Sequence, residues 1–447
     1  MILLVYFAAI ASWAFDYRSE SAGAGAAIQT VFFALFFGFS ATFLLMVGRV
    51  CADLPQLKLI VGAITIFLLV GTFTGLFHGQ SFYAIFVSSI PSLVYLTATY
   101  ITVKACLYTG GSKRFLTGLI VLCGVYAITK AIIFAATYGI NLSTVRYQIL
   151  GSSTIACLGL MTMILYFKFT MKEFLIVFLN LLLILLSVTR TMLILPFVQS
   201  ILYLLDINST LRNRRVFTYT PVIITLVALV IGGDILLGTG LTDRWISRLG
   251  VAEQLGEDVT ELTRVAEARY MREEWLASPS QVFFGNGMSS ETRLAGPEGA
   301  LAAMILGNNY DVHSLGFGHH QYWSLVYISG VFGMPLLLLY GFQAFQAALT
   351  LRRYGYVPPS HIHIAKLTCW GAMIMLGTFA YGFLAAFSGD RGLSLWLGVG
   401  TGLFIAGSKL LARYKVKRPG RRAVAAKRRY AASITGSMNR AGVINFQ

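Results

Sequence analysis

Three of the chain's six histidines, His313, His319 and His320, crowd one polar segment. Imidazole titrates near neutrality, so a histidine where water meets an apolar phase can accept a proton from a hydroxyl. It can equally be an ordinary interfacial polar residue. The same segment holds Arg269 and Arg272. Arg190 stands far upstream in Ser187-Val188-Thr189-Arg190-Thr191, between two apolar runs, and Arg146 lies in a short loop near residues 139–147. Guanidinium groups grip oxyanions through paired planar donors and stabilise the charge that builds on a departing phosphate. An arginine at such a boundary can also snorkel to water. Zinc on the three histidines is a third chemistry, but their spacing matches no known zinc site and no cysteine joins them.

The elements that must position these residues are membrane helices. Of the 447 residues 57% are hydrophobic and only 12% charged, and apolar stretches near 20 residues recur throughout. That is the length needed to span hydrocarbon, where only a helix satisfies its own backbone. The sequence predicts an all-α integral membrane protein with about 12 transmembrane helices. They cover residues 1–15, 26–48, 57–77, 82–103, 115–138, 148–167, 172–189, 191–206, 217–236, 321–345, 364–387 and 392–408. The opening residues lack a positive leader and a clear cleavage box, so a retained first helix is expected.

Basic residues set the expected orientation. Lys409, Arg413, Lys415, Lys417, Arg418, Arg421, Arg422, Lys427, Arg428 and Arg429 follow the last span with no acid among them. Arg212, Arg214 and Arg215, Arg352 and Arg353, Lys168 with Lys172, Lys113 with Arg114, and Arg49 with Lys58 fall on the same side of a 12-span layout. The positive-inside rule makes that side, and both termini, cytoplasmic. The formal charge of +17 therefore points to topology and anionic membrane lipids, and does not argue for nucleic acid. Cys51, Cys106, Cys123, Cys157 and Cys369 offer neither a disulfide framework nor a metal-ligand spacing.

Four regions follow: an N-terminal transmembrane region (1–236), an extracytoplasmic loop domain (237–320), a C-terminal transmembrane region (321–408) and a basic cytoplasmic tail (409–447). The loop domain carries eleven of the 18 acids, six arginines and no lysine, which places the chemistry at one membrane face. Its stretch from Asp258 to Leu276 is a good helix former without Gly or Pro. There Leu262, Val265 or Ala266, Arg269 and Arg272 share one stripe; pairing with Glu273 or Glu267 is the alternative to an anion role. Ser278-Pro279 stops this helix, and Phe283-Phe284-Gly285-Asn286-Gly287 reads as an apolar anchor and a tight turn, with phosphate binding by backbone amides open. Tyr322 and Trp323 open the next span as an aromatic belt.

On these residues the chain resembles the O-antigen ligase family, a membrane group that also includes polysaccharide polymerases. The family's Ser/Thr-Arg element corresponds to Thr189-Arg190. Its loop arginine, tryptophan and apolar-Gly-x-Gly turn correspond to Arg269, Trp275 and Phe284-Gly285-Asn286-Gly287. Its histidine with glycines 11 and 14 residues later corresponds to His319, Gly330 and Gly333. His320 stands where many relatives have Asn, and His313 is a competing choice for the histidine.

The resemblance implies a metal-independent glycosyltransferase of the bacterial cell inner membrane, without a cofactor. It would move a glycan from undecaprenyl diphosphate to lipid A–core, as a ligase, or to another glycan repeat unit, as a polymerase. Polymerase-like assembly is the expected variant. Arg190 and Arg269 would stabilise the donor diphosphate, seconded by Arg272 and Arg146. His319 would take the acceptor proton, and His313, His320 and Tyr322 would contact substrate. A polysaccharide or lipid transporter is the competing function, although no repeated pair of broken helices is evident in the sequence.

Overall fold

The computed structural model describes residues 1–14, 24–48, 54–138, 150, 153–167, 170–187, 190–194, 197–198, 201, 241–249, 259–306, 312–314, 320–353, 361–383 and 391–413. Five helices come first: α1 (Ile2–Ala14), α2 (Ala24–Val47), α3 (Pro55–Phe77), α4 (Phe82–Thr109) and α5 (Lys113–Tyr138). Two short helices, α6 (Thr154–Gly159) and α7 (Met161–Tyr166), precede α8 (Met171–Ser187) and a single 3-10 turn, Arg190–Leu193. The polar segment supplies α9 (Leu241–Leu249), α10 (Val259–Leu276), α11 (Pro279–Phe284) and α12 (Gly296–Leu306). The chain closes with α13 (Gln321–Ser329), α14 (Met334–Arg353), α15 (Ile362–Tyr381) and α16 (Arg391–Arg413). Among the described residues the only sheet is a two-stranded antiparallel ribbon, Glu291–Arg293 with Val312–Ser314.

Seven helical segments among the described residues are long and apolar enough to cross a membrane. The chain is accordingly an all-α, multi-pass membrane protein. The expected twelfth-part division is coarser than the observed one in two places. The stretch 148–167 is interrupted at Leu160, between α6 and α7. The stretch 321–345 is interrupted by a 3-10 turn at Gly330–Gly333, between α13 and α14. The expected span 217–236 and most of 191–206 lie outside the described residues.

Small residues set how closely the membrane helices approach. A side chain added at Gly398 would meet the Tyr95 carbonyl at 2.6 Å, and one at Gly402 would meet Thr102 at 2.6 Å, so α4 and α16 run parallel in near backbone contact. Gly371 and Gly400 bring α15 equally close to α16, here antiparallel, since Thr368 meets Gly407 while Ile374 meets Gly400. Where lipid tails are as apolar as leucine, such close packing supplies the association energy. Trp370 and Trp396 fill this centre, and the Trp370 indole donates to the Ala156 carbonyl at 2.8 Å.

The bundle has two chemically different ends. Lys58, Lys113, Arg114, Lys172, Lys366, Lys409 and Arg413 all sit near helix ends remote from the polar segment. There Lys366 Nζ and Glu173 Oε1 make a buried ion pair at 3.0 Å that ties α15 to α8. The other Glu173 oxygen accepts the Thr170 amide at 2.7 Å, capping the start of α8. At the opposite end of α3 the polar segment docks.

Candidate functional site

The polar segment is seated by its glycine turn. Ser278 caps α11 through the Gln281 amide at 3.3 Å, Pro279 opens the helix, and Gly285 closes it at φ +75°. The next three amides leave the segment altogether. Asn286 donates to the Tyr327 carbonyl at 2.7 Å, Gly287 to Ile328 at 3.0 Å and Met288 to Gly71 at 2.7 Å. The sequence left phosphate binding by these amides open. The structure closes that reading, because all three donors are spent on backbone carbonyls of α13 and α3.

The same seam explains the glycines of the next helix. Gly330, at φ +56°, lies against the Phe283 carbonyl so closely that no side chain fits between them. The carbonyl of Met288 would stand 2.7 Å from a side-chain carbon at Gly75. Ser329 Oγ donates to the Phe67 carbonyl at 2.9 Å, and Thr74 Oγ1 to Phe284 at 3.2 Å. His78 Nδ1 lies 2.9 Å from the Asn286 carbonyl. The helix break at Gly330–Gly333 is therefore built around the turn, with Phe284 stacked on Phe332 at 5.9 Å.

Arg269 lies on α10, whose stripe resolves as Leu262 and Ala266 buried, with Val265 exposed. Its guanidinium grips Glu298 of α12 with both oxygens, Nη1–Oε2 at 2.7 Å and Nη2–Oε1 at 2.9 Å. The partner is neither Glu273 nor Glu267. The fork is one that a phosphate could also fill, but here a carboxylate of the same chain occupies it. Arg272, one turn on, is exposed. Tyr270 packs on Tyr327 at 6.2 Å, and burial, with Glu274 nearby, raises its phenol above the ordinary tyrosine value.

Helices α10 and α13 meet through Ser324 Oγ and Met271 Sδ at 3.7 Å, which brings the helix of Arg269 and Arg272 against the one that follows His320 and begins with Gln321 and Tyr322. His320 is partly exposed, and its carbonyl accepts the Ser324 amide at 3.0 Å. Tyr322 does not present a free hydroxyl to substrate: it donates to the Phe379 carbonyl, and its ring lies 4.6 Å from Phe383. That contact anchors α13 on the end of α15, as does the Gln321 amide on the Gly382 carbonyl at 3.2 Å.

The remaining candidates are less completely described. The Arg190 backbone opens the 3-10 turn beyond the end of α8 remote from Glu173. Trp245 of α9 donates to the Leu185 carbonyl at 2.8 Å, so α9 lies beside that end. The His313 backbone pairs with Thr292 in the ribbon. The side chains of Arg190 and His313, and all of His319 and Arg146, lie outside the described residues. Sequence reasoning missed Glu298, His78, Gly71 and Gly75. Only the acid-rich character of the loop hinted at the first, and nothing in local spacing marks the others.

Cys123 and Cys157, which the sequence left unrelated, are neighbours in the core, with sulfurs 3.1 Å apart. No protein-family model matches the chain, and no curated protein matches it.

Proposed function

We propose that this protein is a membrane glycosyltransferase that moves a glycan from undecaprenyl diphosphate to an acceptor glycan in cell-surface polysaccharide assembly. The observation that carries the reading is the seam just described. Two landmarks of the O-antigen ligase resemblance, Phe284-Gly285-Asn286-Gly287 and Gly330 with Gly333, lie more than 40 residues apart in sequence and pack as one unit. A linker loop needs no such fixation, whereas a loop that holds reacting groups does.

The acceptor hydroxyl oxygen attacks the anomeric carbon, the bond from that carbon to the diphosphate oxygen breaks, and undecaprenyl diphosphate departs with the electron pair. His319 takes the acceptor proton. Arg190 spreads the charge of the leaving diphosphate, with Arg146 and Arg272 in support, so no metal is required. Arg269 joins them by exchanging the Glu298 carboxylate for a phosphate of the donor. His313 and His320 flank the acceptor. The site faces outward from a bacterial inner membrane whose cytoplasmic side carries the basic end and both termini.

Purified protein in lipid nanodiscs, incubated with undecaprenyl-diphosphate glycans from its own envelope, tests this by mass spectrometry of the products. Extension of a second lipid-linked repeat supports the polymerase reading, and transfer to lipid A–core the ligase reading. Folded Arg190→Ala and His319→Ala proteins should lose transfer by at least about a hundredfold. Failure of folded wild-type protein with both acceptors would overturn the reading and leave transport in its place.

A further inference from the structure

His78 closes α3, far in sequence from the histidines of the polar segment. Its backbone is fixed by local geometry. Gly79 adopts φ +78°, the Gln80 amide returns to the Gly75 carbonyl at 3.0 Å, and the Gly79 amide returns to Leu76 at 3.0 Å. That pair of bonds is a Schellman close, which a glycine just past the helix makes possible. It leaves His78 exposed at the end of the helix, beside a Gly79 with open space around it.

The glycine turn of the polar segment then fixes the ring. Nδ1 of His78 lies 2.9 Å from the Asn286 carbonyl. A carbonyl oxygen only accepts, so Nδ1 carries the proton of the neutral imidazole and Nε2 holds the lone pair. Among the described residues Nε2 has no hydrogen-bond partner.

Asn286 connects this ring to both helices of the candidate site. Its amide donates to the Tyr327 carbonyl of α13 at 2.7 Å. Its side-chain oxygen accepts Gln281 Nε2 at 2.9 Å, and the same nitrogen reaches Glu274 of α10 at 3.5 Å. Ser278 Oγ donates to Gln281 Oε1 at 2.8 Å, so the bracing group is itself held. A neutral acceptor kept in one tautomer and one place, open on its far side, suits a hydroxyl. A diphosphate esterified at both ends has no proton to offer it.

We propose that His78 is an acceptor-binding residue of the glycan transfer: Nε2 accepts a hydrogen bond from a hydroxyl of the acceptor glycan other than the one that attacks. This rests on the glycosyltransferase reading and adds to it a contact from the end of a membrane helix, outside the polar segment. No bond to His78 is made or broken, and the proton stays on the sugar. The ring holds the acceptor in register while the attacking hydroxyl reacts elsewhere.

The full chain in nanodiscs tests it. Transfer rates are measured at saturating donor over a range of whichever acceptor the wild type uses, with melting temperatures alongside. His78→Asn sets an amide nitrogen near the Nδ1 position, so it keeps the bond to the Asn286 carbonyl and removes Nε2. His78→Gln places its amide near the Nε2 position and gives up that anchor. In His78→Asn the acceptor KM should rise roughly five- to tenfold, the worth of one hydrogen bond, while kcat and melting temperature hold. His78→Gln should recover part of that rise although it melts lower. A wild-type KM in His78→Asn, or a KM rise in both variants that follows their melting temperatures, overturns the proposal and leaves His78 a brace of the seam. Wild-type protein that transfers to neither acceptor overturns the glycosyltransferase reading itself, and this contact with it.

Discussion

Arg269 and Glu298 close a two-point ion pair between α10 and α12, at 2.7 and 2.9 Å. The side chains are 29% and 27% exposed, which puts the pair between a surface bridge and a buried one. Its net worth is therefore about 1 kcal/mol. Its chemical meaning is larger, since it leaves the arginine's planar fork satisfied before any substrate arrives.

Glu298→Gln should separate the two roles of that arginine. If the carboxylate only occupies a substrate fork, donor KM falls or holds while the melting temperature drops slightly. If the pair only braces the loop, stability and turnover fall together, and Arg269→Lys fails to restore either. Kinetics on lipid-linked donor beside thermal unfolding reads the difference.

The glycine seam predicts opposite signs for chemically identical changes. Gly330→Ala places a methyl group on the Phe283 carbonyl at φ +56° and should destabilise by about 2–4 kcal/mol. Gly341→Ala, in the interior of α14 with open space around it, should be neutral or stabilise by up to roughly 1 kcal/mol. Equal effects of the two on unfolding in nanodiscs would contradict the packing described.

Lys366→Met strands the Glu173 carboxylate, 4% exposed, without its counter-charge, and should destabilise by about 3–5 kcal/mol. Adding Glu173→Gln should recover most of that loss, because the glutamine oxygen still accepts the Thr170 amide. A double variant as unstable as the single would show that the pair itself, not the stranded charge, holds α8 to α15.

Oxidation should join Cys123 to Cys157. Their sulfurs are 3.1 Å apart on α5 and α6, against about 2.05 Å in a disulfide, so a small approach suffices. Both thiols are buried, so a membrane-permeant oxidant such as diamide is the probe. Peptide mass spectrometry should find this cross-link ahead of any involving Cys106 or Cys369; the reverse order would refute the placement.

The helices of this fold were largely legible because apolar runs bounded by Pro, Gly and charge fix where a chain can cross hydrocarbon. Residues 57–77 were expected and Pro55–Phe77 is found; 82–103 was expected and Phe82–Thr109 is found. The break at Gly330–Gly333 was not legible, because the run from Gln321 to Leu351 is apolar throughout and the interruption comes from a carbonyl at Phe283. The site was legible in part. The 3.6-residue period put Arg269 and Arg272 on one stripe, but no local spacing could reveal a partner 29 residues away on another helix. The anchoring of Tyr322 was hidden for the same reason: the acceptor of its hydroxyl belongs to Phe379, 57 residues later.

The notch on α3 also bears on the order in which the molecule can be made. Thr74 donates to Phe284 across 210 residues, and Gly71 takes the Met288 amide a few residues further on. A ribosome finishes the notch long before it makes the piece that fills it. Through that interval the third helix must wait in the bilayer with its close-packing face uncovered, so the N-terminal half reaches its final form only after synthesis has passed Gly330.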